Sequence, residues 1–164
     1  MNQQFDIRGN LQAPPNFTDI TWGDFESYFV TNQPINSTRK TIFDEFELFL
    51  NAVRELWHKP FVLWVNGSFI SQKSNPNDID VLVEVEYCNN EAEVVALQEM
   101  IRHYRTERQT LVDCYALVAY AKGHDLHSWY QSDYVYWLNQ WGFTRPNRQK
   151  QKFRKGILRL NIEK

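Results

Sequence analysis

Between Pro60 and Val85 the chain writes out two strands and the junction between them. Phe61-Val-Leu-Trp-Val65 is a continuous apolar run of strand length ended by Asn66-Gly67, the pattern of a strand buried on both faces. After a polar spacer from Ser68 to Asn77, long enough for a loop or one turn of helix, Ile79, Val81, Val83 and Val85 alternate with Asp80, Leu82 and Glu84. A period of two is that of a strand, predicted here over 79–86. The junction therefore places Gly67-Ser68 at the end of one strand and Asp78-Ile-Asp80 at the start of the next.

Two carboxylates two residues apart on extended chain project from one face, with Cα atoms roughly 6–7 Å apart. At about 4–5 Å their charges repel by on the order of 3–4 kcal/mol at an effective dielectric of 20. Either one acid has its pKa raised or a divalent cation, Mg2+ or Mn2+, lets both ionise and supply hard oxygen ligands. Phosphoryl chemistry uses this arrangement, because a metal clamps a triphosphate and stabilises attacking and leaving oxygens. Gly67 admits close approach of backbone amides to phosphate, a following helical turn would aim its N–H groups there, and the Ser68 hydroxyl adds a bond. Lys73 is either a phosphate-neutralising lysine or an exposed loop residue. Asp-x-Asp by itself also occurs as a solvated turn, so the reading depends on the strand context around it.

The remaining pattern predicts an α/β (α+β) chain with a short mixed sheet. Residues 1–20, with Pro14-Pro15, read as an arm laid over a single domain spanning 21–164. Thr21 followed by Asp24 resembles a capping box before a short helix through Phe25, Tyr28 and Phe29. Asn36 or Ser37 can cap a longer helix carrying Ile42, Phe46, Phe49, Leu50, Val53 and Trp57, interrupted at Lys59-Pro60. Helices are predicted over 91–104 and 129–141, strands over 110–118 and 156–162, and a loop over 119–128.

At 164 residues and 43% hydrophobic the chain has the size and composition of one folded domain. Its longest apolar run is far short of the roughly 20 residues that cross a bilayer, and Met1–Asn10 lacks the apolar centre of a signal peptide, so no membrane partner and a cytoplasmic address are expected. Cys88 and Cys114 sit at no metal-ligand spacing and read as reduced thiols. His124 and His127, three apart, lack companion ligands for zinc. The net charge of −2 conceals a run from Arg145 to Arg159 with seven cations and no acid. Within it, Arg148, Lys150, Lys152, Arg154 and Lys155 form either a solvated face or a contact for triphosphate or nucleic acid, with Trp141, Phe143 and Phe153 available to stack or to pack.

Apolar strand, Gly-Ser, spacer, Asp-hydrophobic-Asp and second strand resembles the signature of the DNA polymerase beta-like nucleotidyltransferase superfamily over residues 61–85. More broadly the chain is similar to a family of small bacterial and phage-borne nucleotidyltransferase-fold proteins. That likeness rests on Pro14-Pro15, Thr21-Trp22 with Phe25, Gly67-Ser68-Phe69 with Lys73, Pro76, Asp78 and Asp80, and Lys155-Gly156-Ile157, although Asn16 stands where glycine is expected. The resemblance implies a minimal nucleotidyltransferase fold with helices packed on the sheet face opposite the acids. It also implies a third carboxylate on a neighbouring strand, for which Asp113 is the candidate. Leu111, Asp113 and Tyr115 share one face by parity, leaving Cys114 in the core. The implied activity is metal-dependent transfer of a nucleoside monophosphate from a nucleoside triphosphate such as ATP to a hydroxyl on RNA, protein or a small molecule. Asp78, Asp80 and Asp113 would then be catalytic and metal-binding, with Gly67, Ser68 and Lys73 at the nucleotide. The alternative is a binding module of the same fold without turnover, acting as antitoxin or regulator.

Overall fold

The computed structural model describes residues 5–12, 17–106 and 110–163. The Pro14-Pro15 and Asn16 positions lie outside them.

Five strands form one sheet in the order β1-β5-β2-β3-β4: β1 Thr18–Asp19, β2 Phe61–Asn66, β3 Ile79–Glu86, β4 Val112–Ala119 and β5 Leu158–Ile162. β2 runs antiparallel to both β3 and β5, whereas β3 and β4 are parallel, as are β1 and β5. The parallel β3–β4 pair needs a crossover, and the helix α3, Glu91–Thr106, supplies it. This is the predicted mixed α+β sheet, with β3 over the predicted residues.

Parity sorts the strands into two faces. Leu63, Val65, Val81, Val83, Cys114, Leu158 and Leu160 point to one side, where they join the helix α2, Arg39–Leu56, through Ile42, Phe46, Phe49, Leu50 and Val53, and α3 through Val94, Leu97 and Ile101. The short helix α1, Trp22–Glu26, and the π turn after it, Ser27–Thr31, add Phe25 and Phe29 to this core. Thr21 caps α1 as its spacing predicts, its side chain accepting from the Asp24 amide at 3.1 Å. The cap position of α2 falls at Thr38, one residue after the predicted Ser37. The Thr38 hydroxyl donates to the Pro76 carbonyl, while the Ser37 hydroxyl donates to the Ser74 carbonyl and still accepts from the Arg39 amide at 3.3 Å.

The expectation of helices on one face needs correction. Trp64, Leu82 and Leu117 lie on the acid-bearing face, and the helix α4, His127–Trp141, covers them with Tyr130, Tyr134, Trp137, Leu138 and Trp141. Those five recur at helical spacing, so the aromatic content of α4 forms a second core. Glu84 anchors it, accepting from Trp64 Nε1 and Tyr130 Oη, each at 2.9 Å.

The expected boundary at residue 20 also shifts. Thr18–Asp19 extends the sheet as β1, Leu11 and Ile20 are buried in the core, and Arg159 grips Asp19 through two bonds of 2.6 and 3.0 Å. Two residues are too short to show a period, which is why composition suggests an arm there. No described helix is long and apolar enough to cross a membrane.

Candidate active site

Four strand ends meet at one edge of the sheet. β2 leaves it at Asn66, β3 and β4 enter at Ile79 and Val112, and β5 is approached through Lys155. Register places Asn66 opposite Asp80 and Asp80 beside Asp113. Neighbouring strands are about 4.8 Å apart, so three polar side chains on one face face one volume. That volume is a cavity of about 820 Å³. Asp78, Asp80 and Asp113 line it, with Gly67, Ser68, Lys73, Lys152 and Lys155.

Gly67 is required for a reason different from the one its sequence context suggests. Its φ is +81°, and a Cβ there would lie 1.7 Å from Asp80 Oδ2. The Asp80 carboxylate thus occupies the space that any other residue would fill, while the Gly67 amide donates to Asn66 Oδ1 at 2.6 Å and not toward the cavity. Asn66, 1% exposed, donates in turn to the Trp141 carbonyl at 2.9 Å and fastens the end of α4 to the end of β2. Ser68 opens a single 3-10 turn, Ser68–Ile70, and is half-buried at the cavity wall; Lys73 is exposed at its rim.

Arg39, which sequence reading passes over as part of an amphipathic helix, organises the loop after Gly67. It is 1% exposed and donates to the carbonyls of Phe29, Phe69, Ser71 and Lys73. A planar fork of donors can collect several carbonyls where an ammonium cannot. Burial lowers its pKa to about 10, still far above neutrality.

The electrostatics concentrate on Asp80. Burial, then the charges of Asp78 and Asp113, push its pKa up to about 6, against the opposing pull of Lys155 and Arg145. Lys155 is lowered by burial, with the Asp80 charge holding it up and Arg145 acting against it. Tyr115 donates to Asp113 Oδ2 at 3.1 Å, and burial followed by the Asp113 charge raises its phenol to about 12, so it remains a donor. The parity assigned to Cys114 holds: it is fully buried.

Among the described residues no three His, Cys, Asp or Glu side chains stand close enough to hold an ion by themselves. Asp78 is exposed and Asp113 is engaged by Tyr115, so the acids form an open set around Asp80 and not a closed shell. A divalent ion fits such a set where bound phosphate oxygens and water supply the remaining ligands. His124 and His127 are otherwise engaged, His124 Nδ1 accepting from the Leu126 amide and His127 Nδ1 meeting the Tyr120 carbonyl.

The basic run divides. Lys152 and Lys155 line the cavity together with Arg145, which had no assigned role. Arg148 and Lys150 sit in an exposed turn organised by Asn147, whose Oδ1 accepts from Gln149 and Gln151. Arg154 lies 5.8 Å from the Phe143 ring, at an antiparallel bridge between the two residues. These three do not line the cavity, because a bridge and a tight turn alternate the directions that a linear reading takes as one surface. Asn66, Arg105, Tyr115, Tyr136, Trp137 and Gln140 also line it and were not predicted.

One family model, DUF6932, described as a family of unknown function, matches residues 3–161. No curated protein and no solved structure matches the chain.

Proposed function

The chain belongs to DUF6932, which leaves its activity open, and from the cavity we propose a metal-dependent nucleotidyltransferase that uses a nucleoside triphosphate. The observation that carries this reading is the Asp80 carboxylate seated on Gly67, with Asp113 registered beside it and Asp78 two residues before it. A glycine left without a side chain so that a half-buried acid can stand among other acids spends stability on charge. Bound Mg2+ or Mn2+ would supply charge neutralisation and Lewis acidity at a phosphoryl group.

Asp80 and Asp78 would hold the ion. Asp113, steadied by Tyr115 at Oδ2, would offer its other oxygen as a ligand or as the base that receives the acceptor's proton. Ser68, Lys155, Lys152 and Arg145 would bind and orient phosphate oxygens, with Lys73 reaching in from the rim. The transfer forms a bond between the acceptor oxygen and the α-phosphorus, breaks the bond to the bridging oxygen, and releases pyrophosphate. The acceptor hydroxyl belongs to RNA, protein or a small molecule.

The test is incubation of the full chain with each labelled triphosphate, magnesium or manganese, and RNA or protein pools, with Asp80→Asn in parallel. Metal-dependent label transfer with pyrophosphate release, lost in a folded Asp80→Asn, is expected. Transfer undiminished in that variant would place the chemistry elsewhere. Triphosphate binding without turnover under all conditions would favour the binding-module reading.

A further inference from the structure

We infer that the α4 side of the cavity is a nucleobase subsite, with Trp137 and Tyr136 as its stacking surface and Gln140 at its edge. The inference rests on the triphosphate reading above and adds what the site holds beyond phosphate. The cavity is chemically two-sided. Strand order sets Lys155 before β5 and Ser68 after β2 on one side, Asp80 in the middle, and Asp113 on β4 with Arg105 from the end of α3 on the other. Lys155 and the Ser68 hydroxyl stand on the first side; the rings of Tyr115 and Trp137, with the Arg105 guanidinium over Tyr115, line the second.

Trp137 is held from several directions. Its ring lies 4.5 Å from Tyr115, 5.3 Å from Trp141 and 5.5 Å from Tyr136, at interplanar angles of 59°, 72° and 75°. None of these is a parallel stack, so the neighbours fix the indole without pairing face to face with it. The Arg105 guanidinium, 4.7 Å over the Tyr115 ring, continues the platform with a cation. Tyr136 is 58% exposed although it lines a cavity, a poor position for a ring whose task is packing. Gln140, one turn after Tyr136, brings an amide with both donor and acceptor to the same wall. A planar heteroaromatic ring with polar edges, attached to phosphate, matches both sides at once. Its source is either the triphosphate's own base or the terminal base of a single-stranded acceptor.

Calorimetry on the full chain in Mg2+ distinguishes these sources, using inorganic tripolyphosphate, the four nucleoside triphosphates, and a short single-stranded oligoribonucleotide with a free 3′ hydroxyl. Stacking of one base corresponds to roughly 5- to 150-fold in affinity. Trp137→Leu and Tyr136→Ala are expected to weaken base-bearing ligands by that order and to leave tripolyphosphate unchanged. Trp129→Ser, at an exposed position two turns before Tyr136 and outside the cavity lining, is expected to change nothing. Loss confined to the triphosphates assigns the subsite to the donor base, and loss confined to the oligonucleotide assigns it to the acceptor base. If Trp137→Leu fails to fold by circular dichroism, Tyr136→Ala and Gln140→Ala, both at exposed positions, decide. Unchanged affinities in the folded variants, or wild type that binds tripolyphosphate as well as any base-bearing ligand, overturn the subsite alone. Wild type that binds no tripolyphosphate overturns the reading beneath it, and the subsite with it.

Discussion

Replacing Asp80 by asparagine should make the metal-free protein more stable at neutral pH while removing its response to metal. Burial and the neighbouring acids hold the Asp80 pKa at about 6 in the fold, against 3.8 for an ordinary aspartate. Folding therefore favours the protonated acid. The contribution is fully present below pH 3.8, is lost as pH rises through 6, and stays lost above it. The shift amounts to about 3 kcal/mol. Asparagine keeps the shape that fits against Gly67 and carries no charge, so it escapes this loss. In EDTA at pH 8 the variant should exceed wild type by up to about 3 kcal/mol, or roughly 6–12 °C in Tm for a domain of this size. The gap should close as pH falls below 4. Saturating magnesium with triphosphate should raise the wild-type Tm and leave the variant unmoved. Urea melts from pH 4 to 8, with and without metal, provide the assay. An Asp80→Asn protein that is no more stable than wild type at pH 8 in EDTA would refute the account of a charge held at a cost.

Gly67→Ala should lose about 1–3 kcal/mol from backbone strain alone and displace the Asp80 carboxylate, so that any folded fraction shows no metal response in a melting scan. Arg39→Lys should cost about 2–4 kcal/mol in a urea melt, since buried carbonyls of the 69–73 loop lose their donors, and should weaken tripolyphosphate binding by loosening that loop. Lys155→Gln should weaken tripolyphosphate binding several-fold, whereas Arg148→Gln with Lys150→Gln should leave it unchanged; equal losses would mean that the exposed turn takes part. If single-stranded RNA binds, its affinity should fall steeply with salt, with a slope that drops when Lys152 and Lys155 are replaced by glutamine; a flat dependence in wild type would exclude backbone contact.

Legibility followed the length scale of each pattern. β3 was readable because a period of two over eight residues has no good helical alternative, and the core face of α2 was readable for the corresponding reason at helical period. Asp78 and Asp80 could be paired because two positions apart on extended chain share a direction, whereas Asp113 came from the family resemblance, with its strand parity in agreement. Contacts across the chain were not. Arg39 looks like one more polar residue in an amphipathic pattern, and only the fold brings four carbonyls from two loops to it. Asp19 and Arg159 are 140 positions apart, so a cation counted in the basic run is spent on pinning a sheet edge. The aromatic α4 carries one apolar stripe at helical spacing with Trp129, Val135 and Tyr136 outside it, and that mixture does not disclose which sheet face it covers.

The two cores explain why the acids lie where they do. A sheet covered only on the α2–α3 side would leave Asp80 and Asp113 in open solvent, where their charges would be screened and the Asp80 pKa ordinary. α4 changes that, because its C-terminal end, tied to Asn66 at the Trp141 carbonyl, walls one side of the strand ends with Trp137 and Trp141. The aromatic wall that this tie holds lines the same cavity as Asp80, whose burial raises its pKa. Loosening this tie should then act on charge as well as packing. In Asn66→Ala the Trp141 carbonyl loses its donor, the wall can withdraw, and the Asp80 pKa should fall toward the ordinary carboxylate range. Carboxyl carbon NMR titration of Asp80 in wild type and variant reads that pKa directly. A value that stays near 6 in a folded Asn66→Ala would mean that the sheet itself, not α4, keeps water from the acid.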